Sequence, residues 1–211
     1  MPGFLAKQLC PHIIFIRGNK AKYAAISDKE FMHILKKYDP RLETAGLDEA
    51  NCDMTDWLIE HNMNTTEGRM FLGQKIRQEV FDIMKMTCSV GISCNKMLAK
   101  IASEMDKPNG LTFLPFNEEK IVELMADRKV REVPGVGTVS DQFLSGLGIH
   151  TCKDLLENAI KIYITHNENK FEFLVKSGLG IARCFHEEGA SNVAKKSISL
   201  SKSFKAISLK E

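Results

Sequence analysis

The sequence predicts an α+β fold in two parts: a sheet packed with helices comes first, and a small, purely helical part follows. Three observations predict it. Short β-branched runs alternate with segments of helical periodicity as far as Pro115. Beyond that residue the pattern becomes a series of short helices. Hydrophobic residues make up 44% of the 211 residues, which is enough for a packed core in one large domain or two small ones.

The first part begins with a short helix and a strand-like run. Apolar spacing predicts a helix over 4–9 and a strand over the β-branched segment 11–16. A longer helix is predicted over 22–38, with a capping box that starts at Ser27 inside it. The polar stretch 57–64 is expected to be a surface connection.

The middle of the chain alternates between helical and extended patterns. Helical periodicity over 70–86 leads directly into a strand candidate at 87–93. A helix over 95–105 follows, and the Lys-Pro-Asn-Gly turn at 107–110 precedes a second strand candidate at 111–114.

The second part is predicted to be helical throughout. Asn117 is placed to cap a helix over 118–127. The glycine-containing turn 133–137 introduces a helix over 139–147, and Thr151 caps a further helix.

Charge and cysteine content limit the class of protein. The formal net charge is +2, so the chain as a whole is not an obvious polyanion binder. The last residues of the sequence are rich in lysine: from Ser191 onward there are five lysines and one acid, Glu211. Residues 199–204 in this segment show strand-like alternation. Those lysines are Lys195, Lys196, Lys202, Lys205 and Lys210.

The six cysteines form no CxxC pair and have no His partner at ligand spacing. This pattern favours reduced thiols in an intracellular protein over a disulfide framework or a zinc site. No apolar stretch has the length of a membrane span, and residues 1–7 do not form a signal peptide. We therefore expect the cytosol or the nucleus, with no membrane partner. The cysteines are Cys10, Cys52, Cys88, Cys94, Cys152 and Cys184.

The first segment that could carry chemistry is the acid pair Asp48 and Glu49, which has no basic neighbour. Successive strand residues point to opposite faces, so the two carboxylates converge only if the backbone turns, and Gly46 favours a turn. Carboxylates are the hard oxygen ligands that Mg²⁺ prefers. The alternative is a pair of solvated turn residues, which composition alone favours.

The second segment is Gly91 to Gly110, where a strand passes into a helix that carries lysines. Small polar residues lie at the helix start, where anions bind readily, and Lys96, Lys100 and Lys107 are available as phosphate contacts. A capped amphipathic helix with a solvated lysine face explains the same pattern equally well.

The third segment is the Val-Pro-Gly-Val-Gly turn at 133–137. Its two glycines permit positive φ, so successive amides can form a nest for a phosphate oxygen. Between 118 and 157, eight acids outnumber five bases, so backbone amides would have to make much of any contact with nucleic acid. The alternative is an ordinary tight turn between helices.

In order and spacing, these motifs resemble the Y-family translesion DNA polymerases, and among them the kappa type. The resemblance covers nearly the whole chain. It is carried by Leu47–Ala50, Ser89–Ser103, Lys107–Gly110, Val133–Gly137 with Leu147–Ile149, and also by Met1–Pro11 and Lys196–Phe204.

The resemblance implies a domain order. Residues 1–18 would be a remnant of the fingers, and 19–117 would form a partial palm, an antiparallel sheet with packed helices. Residues 118–190 would form a small thumb with a helix-hairpin-helix turn, and 191–211 would begin the little finger.

The resemblance also implies a reaction and residue roles. The reaction is DNA-directed DNA synthesis by two-metal phosphoryl transfer, in bypass of damaged template. Asp48 and Glu49 would be catalytic ligands of two Mg²⁺ ions, and Lys107 would approach the deoxynucleoside triphosphate. Lys100 would contact the DNA backbone or be structural. The turn formed by Pro134, Gly135, Val136 and Gly137 would bind a phosphate of the primer-template DNA through its amides.

The sequence departs from the family pattern around the acid pair. Gly46 and Asn51 replace the serine and the aromatic residue that usually flank it. The family's metal site also requires an aspartate on an N-terminal palm strand. Before Asp48 the chain has only Asp28 and Asp39, and neither lies in such a motif.

These departures imply a polymerase fragment that lacks the first palm strand, most of the fingers and most of the little finger. Its alternative function is that of a catalytically inactive fragment that retains DNA binding. A nuclear location, and a sliding clamp bound through segments outside these residues, follow from the resemblance alone.

Overall fold

The computed structural model describes residues 1–182, Cys184 and residues 198–200. The five lysines of the ending lie outside these residues, as do most of the strand-like run at 199–204 and most of the expected little-finger segment at 191–211. In the part of the chain that is described, no helix combines the length and the apolar character needed to cross a membrane.

Eleven α-helices and four short strands make up the described residues. The strands are β1 (Glu43–Thr44), β2 (Ala50–Asn51), β3 (Val90–Ile92) and β4 (Leu111–Phe113). The helices are α1 (Gly3–Leu9), α2 (Lys20–Ile26), α3 (Met32–Lys36), α4 (Thr55–Glu60), α5 (Thr66–Met84), α6 (Lys96–Met105), α7 (Glu118–Ala126), α8 (Thr138–Gly146), α9 (Cys152–Glu157), α10 (Ala159–Thr165) and α11 (Glu168–Gly178). A π-helical turn spans Ser27–Phe31 and a 3₁₀ turn spans Val130–Glu132.

The strands form two separate two-stranded sheets. β1 and β2 pair antiparallel, with Thr44 opposite Ala50. β3 and β4 pair parallel, with Gly91 opposite Thr112. Helix α6 lies between the two strands and returns the chain to the end of the sheet at which β3 began, so both strands run in the same direction. The expected antiparallel sheet is therefore wrong for β3 and β4, and it holds only for the hairpin.

The strand predicted over 11–16 is also wrong. This segment has no strand partner among the described residues, and Ile14 and Ile16 are 83% and 88% exposed. A β-branched run without a ladder partner leaves its backbone groups to water, so its local preference does not produce a strand.

Two local predictions in the first 64 residues are corrected by the structure. A helix is confirmed over most of 22–38, but it contains the π-helical turn. Ser27 is buried and ends α2 through its backbone amide, so it does not start the predicted capping box. Asn19 caps α2 instead, accepting a hydrogen bond from the amide of Lys22 at 3.0 Å. The stretch expected as a surface connection over 57–64 instead contains most of helix α4, which buries Leu58.

The helix caps predicted in the second part are confirmed. The side chain of Asn117 accepts a hydrogen bond from the amide of Lys120 at 2.9 Å at the start of α7. Thr151 and Asp154 form a complete capping box on α9. Two amides, those of His150 and Thr151, bind the Asp154 carboxylate and hold its pKa below its usual value.

The described residues contain two hydrophobic cores. The smaller lies between α3, α4 and α5, and consists of Ile34, Leu35, Tyr38, Leu58, Leu72, Ile76 and Val80. The larger core joins helix α6 to the C-terminal helices through Leu98, Ile101, Met125, Leu144, Leu155, Ile162 and Leu174. Helix α6 therefore packs on the parallel strands and also belongs to the core of the helical part.

The packing of β3 on α6 leaves no room for a side chain at Gly91. A Cβ atom there would lie 2.0 Å from the carbonyl oxygen of Ala99 and 2.3 Å from the amide nitrogen of Ser103. We expect Gly91→Ala to lower the free energy of unfolding by at least about 2 kcal/mol, measured by urea denaturation, because these backbone atoms cannot yield without moving α6. Gly146→Ala is the control, since its Cβ would meet nothing within 4 Å; equal stabilities of the two variants would contradict the packing.

Candidate active site

The acid pair lies in the turn of the β1–β2 hairpin. The amide of Ala45 donates to the carbonyl of Glu49 at 2.8 Å and closes the turn. Gly46 has a φ of +97°, a conformation that favours glycine, so the turn expected at this residue is confirmed. Asp48 is exposed, whereas Glu49 is half-buried.

Two lysines of α6 hold this hairpin. The Nζ atom of Lys96 lies 2.7 Å from Glu43 Oε2, and that of Lys100 lies 2.5 Å from Glu49 Oε1. The lysines are four residues apart and therefore project from the same side of the helix. The ion pairs thus fix both ends of the hairpin against a single helix face.

The pairing of Lys100 extends towards the Lys-Pro-Asn-Gly turn. Lys100 Nζ also donates to Glu104 Oε1 at 2.7 Å, and Lys107 Nζ donates to the same oxygen at 2.7 Å. We call the four residues Glu49, Lys100, Glu104 and Lys107 the ion-pair chain. It connects the predicted metal ligand Glu49 to the predicted nucleotide-binding residue Lys107.

The pKa shifts in the ion-pair chain favour its charged forms. Burial would lower the pKa of Lys100, but the hydrogen bonds to Glu104 and Glu49 outweigh it and the pKa is raised. The hydrogen bonds from Lys100 and Lys107 lower the pKa of Glu104. Lys100 and Glu104 therefore remain ionised at neutral pH.

The side chain of Asn95 caps the start of helix α6. Asn95 Oδ1 accepts a hydrogen bond from the amide of Leu98 at 2.9 Å, and Asn95 Nδ2 donates to the carbonyl of Gly180 at 2.8 Å. Asn95 is almost fully buried. This arrangement supports the alternative of a capped amphipathic helix at this helix start.

The turn that carries Lys107 is anchored by contacts with its neighbours. The amide of Gly110 donates to Ser89 Oγ at 3.2 Å, and Arg77 Nη2 donates to Asn109 Oδ1 at 2.7 Å. Asn109 has a φ of +62°. The turn is thus fastened to helix α5 and to the start of β3, which places Lys107 beside Glu104.

In the described part of the chain, no three His, Cys, Asp or Glu side chains are grouped closely enough to hold a metal ion. Asp39 is buried and accepts hydrogen bonds from the amides of Arg41 at 2.9 Å and Asp53 at 2.8 Å. Asp28 is exposed in the π-helical turn. Neither upstream aspartate joins Asp48 and Glu49 in such a group.

The turn at 133–137 borders the ion-pair chain across an open pocket of about 600 Å³. Gly135 has a φ of +97°, and the side chains of Val133 and Val136 are buried. Arg131 Nη1 donates to the carbonyl of Val136 at 2.7 Å and fixes the turn. The pocket is lined by Lys100, Ile101, Glu104, Met105, Arg128, Arg131, Glu132, Val133, Pro134, Gly135 and Val136.

Sequence reasoning missed Glu104 and Glu43, which bind three of the site's lysines. The spacing contained part of the signal for Glu104, because it stands four residues after Lys100 and three before Lys107, the separations at which helical side chains meet. Glu43 is 53 positions before Lys96, and no local pattern connects them. Of the predicted residues, the structure pairs Glu49 directly with Lys100 and connects Lys107 to Lys100 only through Glu104. Lys100 also lies with Pro134 to Val136 around the pocket.

The sequence is similar to a protein family and to DNA polymerases of known name. Residues 1–104 match the model of the impB/mucB/samB family. DNA polymerase kappa of Arabidopsis thaliana is 31% identical over 211 residues, covering 98% of the chain and 30% of that protein. DNA polymerase IV of Ureaplasma parvum serovar 3 is 34% identical over 164 residues, covering 77% of the chain and 44% of that protein.

Solved structures are also similar. An insertion ternary complex of Dbh DNA polymerase matches with a TM-score of 0.73 and 31% identity, over 85% of this chain and 51% of that one. DinB from Sulfolobus solfataricus matches with a TM-score of 0.74 and 30% identity, over 87% and 53%. The chain thus spans less than half of these curated relatives and about half of these structures.

The buried carboxylate of Asp39 provides a test of its structural role. We expect Asp39→Ala to lower the free energy of unfolding by about 1–3 kcal/mol, because the amides of Arg41 and Asp53 each lose a carboxylate oxygen as acceptor. Asp28→Ala, at an exposed position, should change it by less than about 0.5 kcal/mol. Chemical denaturation measures both variants, and similar small losses would show that Asp39 is not needed for folding.

Proposed function

The chain belongs to the Y family of DNA polymerases, and on this premise we propose that it acts in DNA-directed DNA synthesis of the translesion type. The observation that carries the proposal is the ion-pair chain, which connects the acid pair of one motif to the lysine of another beside the turn of a third. Residues far apart in sequence thus meet, and they supply the kinds of group that phosphoryl transfer requires: carboxylates, a cation for the triphosphate and a turn that could contact DNA.

The roles that we propose follow the chemistry of phosphoryl transfer, which depends on positioning and charge neutralisation. Lys107 contacts the triphosphate of the incoming deoxynucleotide. Lys100 has a structural role, which its contacts with Glu49 and Glu104 favour over a contact to the DNA backbone. Primer-template DNA and deoxynucleoside triphosphates are the proposed substrates.

We assign Asp48 and Glu49 as catalytic ligands in part of a centre for two Mg²⁺ ions. Such ions would neutralise the charge that develops during phosphoryl transfer. The described residues do not fit a complete centre, because they contain no group of three ligands and Glu49 is paired with Lys100. Among the described residues, no further carboxylate joins this pair as a third ligand.

We propose that the amides of Pro134 to Gly137 form the DNA contact, in a thumb built around a helix-hairpin-helix turn. Proline has no amide hydrogen, and the amide of Val136 already donates to the carbonyl of Val133 at 3.0 Å, so Gly135 and Gly137 supply the donors. The positive φ of Gly135 supports this assignment, since nests of successive amides require such a conformation. Residues 118–190 form the thumb in this proposal, 19–117 the palm and 1–18 part of the fingers.

A second candidate function is DNA binding without primer extension. It is favoured by the pairing of Glu49 with Lys100 and by the lack of a group of three metal ligands among the described residues. Both candidates share the DNA contact, and they differ only in the chemical step.

A sliding clamp as partner, through segments outside these residues, and a nuclear location complete the proposal.

Primer extension tests the catalytic assignment. The synthesis candidate predicts Mg²⁺-dependent extension of a primer-template by the 211-residue chain, and a loss of at least about a hundredfold in Asp48→Ala, because a lost carboxylate ligand removes several kcal/mol of charge stabilisation. Asp28→Ala is the matched control, since it removes an exposed aspartate elsewhere. Extension that survives Asp48→Ala would refute the assignment, and DNA binding without any extension would support the second candidate.

DNA binding tests the turn independently of the chemical step. We expect Gly137→Ala to weaken binding of a primer-template duplex about two- to tenfold, because the methyl group obstructs a phosphate at the amides of the turn. The fold tolerates this change, since a Cβ atom at Gly137 would meet nothing within 4 Å. Fluorescence anisotropy at several salt concentrations gives the affinity and its salt dependence.

Gly146→Ala is the control for this measurement, because its Cβ is equally unobstructed and it lies at the far end of α8. Gly135→Ala adds a second variant, in which the Cβ would lie 2.8 Å from Phe173 Cζ at a φ of +97°. We expect this variant to lose stability as well as DNA affinity. Unchanged affinity in Gly137→Ala would exclude the turn as a close DNA contact.

A further inference from the structure

We propose that Glu104 is a built-in competitor of the triphosphate for Lys107, and so sets the affinity of the chain for its nucleotide. The inference rests on the proposed role of Lys107 as a triphosphate contact. The ammonium group of Lys107 lies 2.7 Å from Glu104 Oε1, so a carboxylate occupies the position at which a phosphate oxygen would be expected to bind. A phosphate that binds Lys107 must displace this carboxylate or accept its repulsion.

The exposure of the pair makes this exchange feasible. The side chains of Lys107 and Glu104 are 47% and 48% exposed. A ligand from solvent can therefore reach the ammonium group without unfolding its surroundings. Exposed ion pairs of this kind are weak, so a polyanion competes effectively for the lysine.

Lys100 determines what happens to Glu104 when Lys107 is released. The ammonium group of Lys100 binds the same Glu104 oxygen at 2.7 Å, four residues away on the same helix. Glu104 therefore keeps a cationic partner after the exchange, and it does not become an unpaired carboxylate. The lowered pKa of Glu104 keeps it ionised as a competitor at neutral pH.

The geometry thus assigns Glu104 a positioning role. It holds Lys107 beside α6 while no phosphate is present, and Lys100 retains it there when a phosphate arrives. Because the contact between Glu104 and Lys107 is one exposed ion pair, the competition should change nucleotide affinity only a few-fold.

The test is a binding titration of the whole 211-residue chain, with inorganic tripolyphosphate and deoxyadenosine triphosphate as probes. We expect Glu104→Gln to bind both probes about two- to fivefold more tightly than the wild type in isothermal titration calorimetry at low salt. The difference should shrink at high salt, where exposed charges are screened. The amide keeps the shape of the side chain, and thermal denaturation checks that the fold is retained.

Glu172→Gln is the matched control. Glu172 is also a half-exposed helical glutamate, with 53% of its side chain accessible, and it pairs with a lysine four residues away. Its neutralisation changes the net charge by the same amount at a place outside the proposed site. Equal effects of the two substitutions would attribute the gain to net charge and overturn the proposal.

A double-mutant cycle with Lys107→Met shows whether the gain passes through Lys107. We expect the gain from Glu104→Gln to vanish in the Lys107→Met background. A gain that persists there would mean that Glu104 acts on another cation, which overturns the inference.

The same cycle separates this inference from the proposed function. If Lys107→Met weakens binding but Glu104→Gln does not strengthen it, only the competition is refuted. If Lys107→Met leaves binding unchanged, the triphosphate role of Lys107 is refuted, and the competition is refuted with it.

Discussion

The division of helix α6 into a charged side and an apolar side is the constraint on which the site depends. Its apolar residues, among them Leu98 and Ile101, belong to the core of the helical part. Its lysines, Lys96 and Lys100, bind the acids of the β1–β2 hairpin. Helix α6 therefore sets the distance between the acid pair and the glycine turn, because its lysines bind the hairpin and its apolar side belongs to the core that contains the valines of the turn. A displacement of α6 would break both sets of contacts at once.

The ion-pair chain gives the site a nearly self-neutralised character. Two acids and two lysines alternate, so each charge has an opposite neighbour and none requires an external counterion. Such a site stays assembled without ligands. Lys100 illustrates this: it is paired with two glutamates, as a structural residue would be, and it also borders the proposed site.

What the sequence predicted well was local. Asn117 and Thr151 were identified as caps because capping depends on neighbours within three residues, and the turn at Gly46 was expected for a similar reason. The parallel pairing of β3 with β4 was missed, and so was the binding of Glu43 by Lys96. Both connect residues that are 20 or more positions apart, where local periodicity carries no information. The segment 11–16 shows the opposite error, since strong β propensity is of no use without a partner strand.

The hydrogen bond from Asn95 to the carbonyl of Gly180 has a consequence for how the chain reaches this state. The two residues are 85 positions apart, and Asn95 also caps the helix that carries Lys100 and Glu104. During synthesis on the ribosome, helix α6 emerges well before Gly180 does. The nascent hairpin and lysines can meet early, but the buried amide of Asn95 lacks its acceptor until the last described helix has been made. The buried amide of Asn95 can thus be satisfied only after almost all of the described chain has been made, although it caps a helix that is made much earlier.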